Sequence, residues 1–295
     1  MGTENARGAL RCSRLLESGT ARTRSQSGEN NRGPLRCARC LLAIFRFEFA
    51  VVIAAALAWP AESFAQLNVI TSGGFASAYQ QMLPQFEKST GIKVTTARGA
   101  SQGSGPNTIG AQLRRGVPAD VVIMSREGLD DLIADGKIVA GTAVDLAQTP
   151  LGLAVRAGAS KPDISTVEAF KQTLLRAKSI TFPASTTGIY MTAKLFPQLG
   201  IADDLARKIT NTGVAAVATG DAEIAIQPVS ELLHAPGADF VGTIPKEIQY
   251  ISIFSAAIVA GGKEAEASQR LIAFLKSEPA AKAIRDSGME PLTSR

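Results

Sequence analysis

The sequence predicts an α/β protein built in two halves, and three observations carry that prediction. A short apolar strand, a polar turn and an amphipathic helix follow one another three times between residues 67 and 136. The same pattern begins afresh at Ser179, and a long apolar run from Ile251 to Ala260 then offers a strand that returns the chain to the first sheet. The predicted halves are residues 67–149 with 251–295, and residues 150–250. A chain of 295 residues with 45% hydrophobic content is large enough to give one or two domains a full core.

Residues 1–65 read as an N-terminal extension and export signal. They are Arg-rich up to Arg46, carry an apolar run from Phe49 to Trp59, and end on the small residues Ser63 and Ala65, which suits cleavage after Ala65 and a periplasmic location. The apolar run is shorter than the roughly 20 residues that span a bilayer. This segment also holds nine Arg against five Glu, whereas the remaining chain holds 22 Lys and Arg against 21 Asp and Glu. The basic excess therefore leaves with the leader, and a nucleic-acid partner loses its electrostatic support. All three cysteines, Cys12, Cys37 and Cys40, lie here too. The Cys37-Ala-Arg-Cys40 spacing has no second pair and no βαβ pattern around it, so it reads as chance.

The first strand, from Leu67, turns sharply on Ser72-Gly73-Gly74 and opens into a helix whose inward stripe is Phe75, Tyr79, Met82, Leu83 and Phe86. Pro84 is expected to kink or split that helix. A strand from Lys93 to Ala97 leads into the polar loop Arg98 to Thr108, with Asn107 or Thr108 as N-cap of the next helix. Asp120 to Met124 is a buried strand and Ser125-Arg126-Glu127-Gly128 a third polar turn before a helix. In the second half, a strand is expected from Leu151 to Arg156, and Ser165-Thr-Val-Glu168 is expected to form a capping box. Ser179 to Phe182 leads through Pro183 to Gly188 into a helix stopped by Gly200. Val214 to Thr219 reads as a short helix, Ala222 to Ile226 as a strand, and Gln227-Pro228 as the entry to one more helix. Two helices follow the return strand, the last starting at Pro279.

Few residues permit covalent chemistry. Beyond the leader there is one histidine, His234, and no cysteine, so a metal site or a serine or cysteine nucleophile lacks partners. His234 suits a helix C-terminus, and the adjacent pairs Asp130-Asp131 and Asp203-Asp204 point to different sides of a helix. Phosphate loops of the Gly-rich types are absent. What remains is a set of Ser, Thr, Asn and glycine N–H donors at helix starts, a composition suited to a compact anion, with Arg98 and Arg126 as possible charge partners. No cofactor, no metal and no catalytic turnover are expected. An enzyme using Ser72 or Ser185 would need a base the sequence hardly offers.

Four stretches then resemble the periplasmic solute-binding proteins of ABC importers, in the branch that includes molybdate-binding proteins: Phe86-Glu-Lys-Ser-Thr-Gly-Ile-Lys-Val94, Gln112-Leu-Arg-Arg-Gly-Val-Pro-Ala-Asp-Val-Val-Ile123, the turn at Ser185 to Tyr190, and Thr219-Gly-Asp-Ala-Glu-Ile-Ala225. The resemblance implies the two-lobed type II periplasmic-binding-protein fold, with lobes joined by two crossing strands, a ligand held between them, and delivery to an inner-membrane permease; a monomer is expected. The expected ligand contacts are Ser72, Gly73, Gly74, Ser101, Ser104, Asn107 and Arg126 from the first lobe and Ser185, Thr186, Thr187, Tyr190 and Gln227 from the second. Two positions depart from the molybdate pattern: the first-turn hydroxyl falls on Gly74, and the tyrosine of the last site turn falls near Gln227-Pro228. Molybdate or a related oxyanion is the first reading of the ligand. An organic carboxylate, or a ligand sensor uncoupled from transport, is the alternative.

Overall fold

The computed structural model describes residues 66–292, so the leader, its cleavage point and the Cys37–Cys40 pair lie outside the described residues. Strand β1 (Gln66–Thr71) passes through Ser72 into α1 (Gly73–Thr90), which buries Phe75, Tyr79, Met82 and Phe86. Pro84 does not split this helix, which runs unbroken from Gly73 to Thr90, and both Pro84 and Gln80, whose carbonyl loses its helical donor, are exposed residues. Strand β2 (Lys93–Arg98) pairs parallel to one side of β1. Helix α2 (Ile109–Arg114) is capped by Thr108, whose hydroxyl accepts from Ala111 N. Strand β3 (Val121–Ser125) pairs parallel to the other side of β1, and α3 (Arg126–Ala134) follows at once, capped by Ser125.

Strand β4 (Val144–Arg156) starts well before the expected Leu151 and runs straight through Pro150. Helix α4 (Val167–Arg176) is capped by Thr166 and not by Ser165: the Thr166 hydroxyl accepts from Ala169 N, while Ser165 N donates to Asp163 and Glu168 accepts from Gln172. The expected capping box is therefore shifted by one residue, because the Asp163 turn takes Ser165 first. Next come β5 (Ile180–Thr181), α5 (Thr186–Tyr190), a π-helical turn (Met191–Leu195), α6 (Phe196–Leu199), α7 (Ala202–Leu205), β6 (Ile209–Thr210), α8 (Ala215–Thr219), β7 (Ile224–Pro228) and α9 (Val229–Leu232). Strand β8 (Ala238–Thr243), absent from the sequence reading, pairs antiparallel to β4. A 3₁₀ turn (Lys246–Ile248) precedes β9 (Ile251–Ile258), α10 (Ala265–Leu275), α11 (Glu278–Asp286) and β10 (Glu290–Pro291).

The strand order is β2-β1-β3-β9-β4-β7-β5-β6, with β8 and β10 also pairing β4. Strand β4 belongs to both halves: Val144 to Pro150 pairs antiparallel to β9, and Leu151 to Ala154 pairs antiparallel to β7. The chain returns between Tyr250 and Ile251, so two strands cross side by side from one lobe to the other. Each lobe has its own core. One packs α1, α10 and α11 on the first sheet through Phe75, Phe86, Leu271 and Ile284; the other packs α4 to α7 on the second through Phe170, Phe182, Leu195 and Phe196. Parallel strands β1, β2 and β3, and β5 and β7, all end at the interlobe cleft, as the rule for open α/β sheets requires of a binding site.

Candidate functional site

A cavity of about 220 Å³ sits at those strand ends. Its first wall is the β1–α1 junction. The Ser72 hydroxyl is buried and has no hydrogen-bond partner, and as N-cap of α1 it leaves the N–H groups of the first turn free for a ligand. Ser101 and Ser125 extend this wall, held together by a 2.9 Å bond from Ser125 N to Ser101 Oγ. The opposite wall is Ser185, Thr186 and Thr187. The walls touch across the cavity: Gln102 N donates to Ser185 Oγ at 3.3 Å, Ser125 Oγ and Thr186 Oγ1 lie 2.8 Å apart, and Thr186 donates to Gln102 Oε1 at 3.1 Å. Ser252 and Phe254 of β9 line it as well.

Gly74 explains one departure from the molybdate pattern. A Cβ there would lie 2.0 Å from the Phe254 ring, so the ring occupies the place a side chain at 74 would need.

The single ionisable side chain among the cavity-lining residues is Glu231, in the first turn of α9. Its carboxylate lies against the backbone of Gly73, where a Cβ would be 3.3 Å from Oε2. Burial pushes the Glu231 carboxyl up to about 7, opposed by the hydrogen bond it accepts from Gln227 Nε2. Gln227 is fixed in that orientation because its Oε1 accepts from Val214 N. This is the second departure seen from inside: Gln227 is 2% exposed, stands behind Glu231, and sets the carboxylate's position without lining the cavity.

Of the residues expected at the site, Ser72, Gly73, Gly74, Ser101, Ser185, Thr186 and Thr187 come together around this cavity. Ser104 and Asn107 are exposed on their loop. Arg126 is held by Asp130 at 2.9 Å and Asp145 at 3.0 Å. Tyr190 donates to the Ile248 carbonyl at 2.9 Å and stacks on Tyr250, with ring centroids 4.7 Å apart. These three groups lie off the cavity because other partners satisfy them or solvent does. Glu231 was missed. Its one sequence signal was an acidic residue in the helix turn that follows a buried strand.

Comparison with known proteins revises the chemistry. The chain is 39% identical over 250 residues to an aconitate isomerase of a Pseudomonas species, covering 83% of this chain and 95% of that one. It is 25% identical over 250 residues to a molybdate-binding protein of Azotobacter vinelandii, covering 81% and 95%. It superimposes on the solved periplasmic molybdate-binding protein of Azotobacter vinelandii with a TM-score of 0.63 at 20% identity, covering 78% of this chain and 100% of that one. The expectation of no catalytic turnover is overturned by the first relative, which is an enzyme by name. The reasoning behind it searched only for a base beside a serine nucleophile and did not weigh the buried carboxylate of Glu231. Residues 67–290 match the model of the bacterial extracellular solute-binding proteins, and with the two-lobed fold around one interlobe cavity this places the chain in that family.

Proposed function

We propose that this protein is an exported isomerase of a small unsaturated polycarboxylate, aconitate in the first place, with Glu231 as its general base. The observation that carries the reading is a lone carboxylate, raised by burial to about 7, in a cavity whose other polar side chains are the hydroxyls of Ser72, Ser101, Ser125, Ser185, Thr186, Thr187 and Ser252. For passive capture of a dianion such as molybdate, that carboxylate is a liability, since it places like charge against the ligand. For moving a proton at neutral pH, a carboxyl near 7 is well matched. The 39% identical aconitate isomerase supports the same substrate class.

Aconitate is propene-1,2,3-tricarboxylate, and its double bond can change geometry without a cofactor by a 1,3-proton shift. Glu231 takes a proton from the methylene carbon, and the electron pair left behind spreads over the allylic carbons into the attached carboxylate. The protonated Glu231 returns that proton to the far allylic carbon, and the double bond moves one place. The product has the same constitution, and its geometry is set by the rotamer in which the methylene carboxylate was held. Ser72, the α1 N–H groups and the Ser185 to Thr187 hydroxyls are suited to bind the carboxylate that gains charge.

The family membership favours a second reading, capture of a solute for an inner-membrane permease, and one protein fold accommodates either role. The purified protein separates them. Conversion of trans- to cis-aconitate, followed by chromatography, supports the isomerase. A melting temperature raised by molybdate, tungstate or sulfate and untouched by tricarboxylates would favour oxyanion capture, since a ligand at 100 times its dissociation constant stabilises by about 2.7 kcal/mol.

A further inference from the structure

The inner cavity leaves an electrostatic problem, because among its lining residues there is no cation to offset a tricarboxylate and one of them is an acid. A second hollow, of about 380 Å³, adjoins it. The two share Gly73 and Glu231, so the carboxylate stands on the boundary. The outer hollow is lined by Arg98, Ser230 and His234 among others. Ser230 is 6% exposed and its hydroxyl has no hydrogen-bond partner. Arg98 stands at the carboxyl end of β2 and has no ion pair among the described residues, while its carbonyl is fixed by Gln112 Nε2 at 2.9 Å. His234 is anchored through Nε2 to the Asp286 carbonyl at 2.9 Å. A buried orphan hydroxyl and an unpaired guanidinium lining one hollow form a donor set for a carboxylate.

We infer that this outer hollow is a second carboxylate subsite, with Arg98 as its cation and Ser230 as its neutral donor. The inference rests on the isomerase reading and deepens it. One carboxylate of the substrate is held at the Ser72 and Ser185 walls, the methylene carboxylate sits at Arg98, and the carbon between them faces Glu231. The subsite thus selects polycarboxylates and holds the rotamer that decides the product's geometry.

Calorimetric titration with tricarballylate, a saturated tricarboxylate that cannot be isomerised, tests this, with propionate as the single-carboxylate probe in a thermal-shift series. Arg98→Gln is expected to weaken tricarballylate by roughly ten- to hundredfold, the range for losing a hydrogen bond to a charged group, and to leave propionate within about twofold. Ser230→Ala is expected to weaken tricarballylate by about fivefold, and Arg98→Lys to restore part of the loss. Arg98 is exposed, so its variants fold. Unchanged tricarballylate affinity in Arg98→Gln, with tight binding by the parent protein, overturns the subsite and leaves the isomerase reading standing. Failure of the parent protein to bind tricarballylate overturns both.

Discussion

At the scale of single residues, the proposed chemistry turns on Glu231. Its carboxyl is held near 7 by desolvation, so the ionised base accumulates as pH rises through that value, and kcat/KM for aconitate should rise along the same limb. Glu231→Gln should lower kcat by about 10²–10⁴-fold, the usual contribution of a general base, measured by steady-state kinetics. The same substitution should stabilise the fold above neutrality. The folded carboxyl binds its proton more tightly than the unfolded one, near 4.5, so stability is greatest below 4.5, falls as pH rises to about 7, and stays reduced above it. Removing that penalty is worth about 3 kcal/mol, so the Gln variant should melt several degrees higher at pH 8. Ser72, Ser101 and Ser185 to Thr187 were legible in the sequence as hydroxyls at strand-to-helix turns. Glu231 was not, because a glutamate in a first helical turn is ordinarily a solvent-facing partner of the helix dipole, and only the tertiary fold brings it against Gly73.

Among the secondary elements, two side-chain contacts decide how the walls are assembled. The Gly116-Val-Pro-Ala-Asp-Val121 block was the most distinctive stretch of the sequence, and the structure gives its reason. Buried Asp120 accepts from Asn68 N at 2.8 Å, Asn68 Nδ2 at 3.1 Å, Lys263 N at 2.9 Å and Glu264 N at 3.4 Å, tying β1 to the start of α10. Asp120→Ala strands those donors and should cost on the order of 3–5 kcal/mol in urea unfolding. Gly74→Ala should push on the Phe254 ring, which is 4% exposed and packs on Phe75 with centroids 6.4 Å apart. A cost of about 1–3 kcal/mol and a strong loss of ligand affinity are expected, read by thermal melting and calorimetry. Helices α1 and α10 were legible because their apolar periodicity is long. Strand β4 was read too short because Pro150 looks like a boundary, yet its position at the crossing, paired with Ile251, tolerates the missing N–H. Strand β8 was missed because Ala-Asp-Phe-Val-Gly-Thr has neither clean alternation nor a continuous apolar run.

For the whole molecule, two lobes with separate cores meet at a cavity and are joined by β4 and the return into β9. The two-lobed class was legible because strand, polar turn and helix recur in both halves, and carboxyl strand ends converge by topology alone. The proposed chemistry was not, because it depends on one carboxylate whose environment brings Gly73 of α1 and Val214 against the β7–α9 turn. The contact between the two walls rests in part on Gln102, which bonds Ser185 through its backbone N–H and Thr186 through its side chain. Gln102→Ala removes the side-chain bond to Thr186 that crosses the cavity and should raise KM for aconitate severalfold with kcat within about twofold, since losing that bond weakens the wall contact by about 0.5–1.5 kcal/mol. The most direct measurement is the rate of trans-to-cis aconitate conversion by the purified protein across pH 5–9, run beside Glu231→Gln. Isomerisation that rises through about pH 7 and falls at least 100-fold in the variant is the expected result. No interconversion by the parent protein, or an undiminished rate in Glu231→Gln, would contradict a solute-binding fold that works as an isomerase through Glu231.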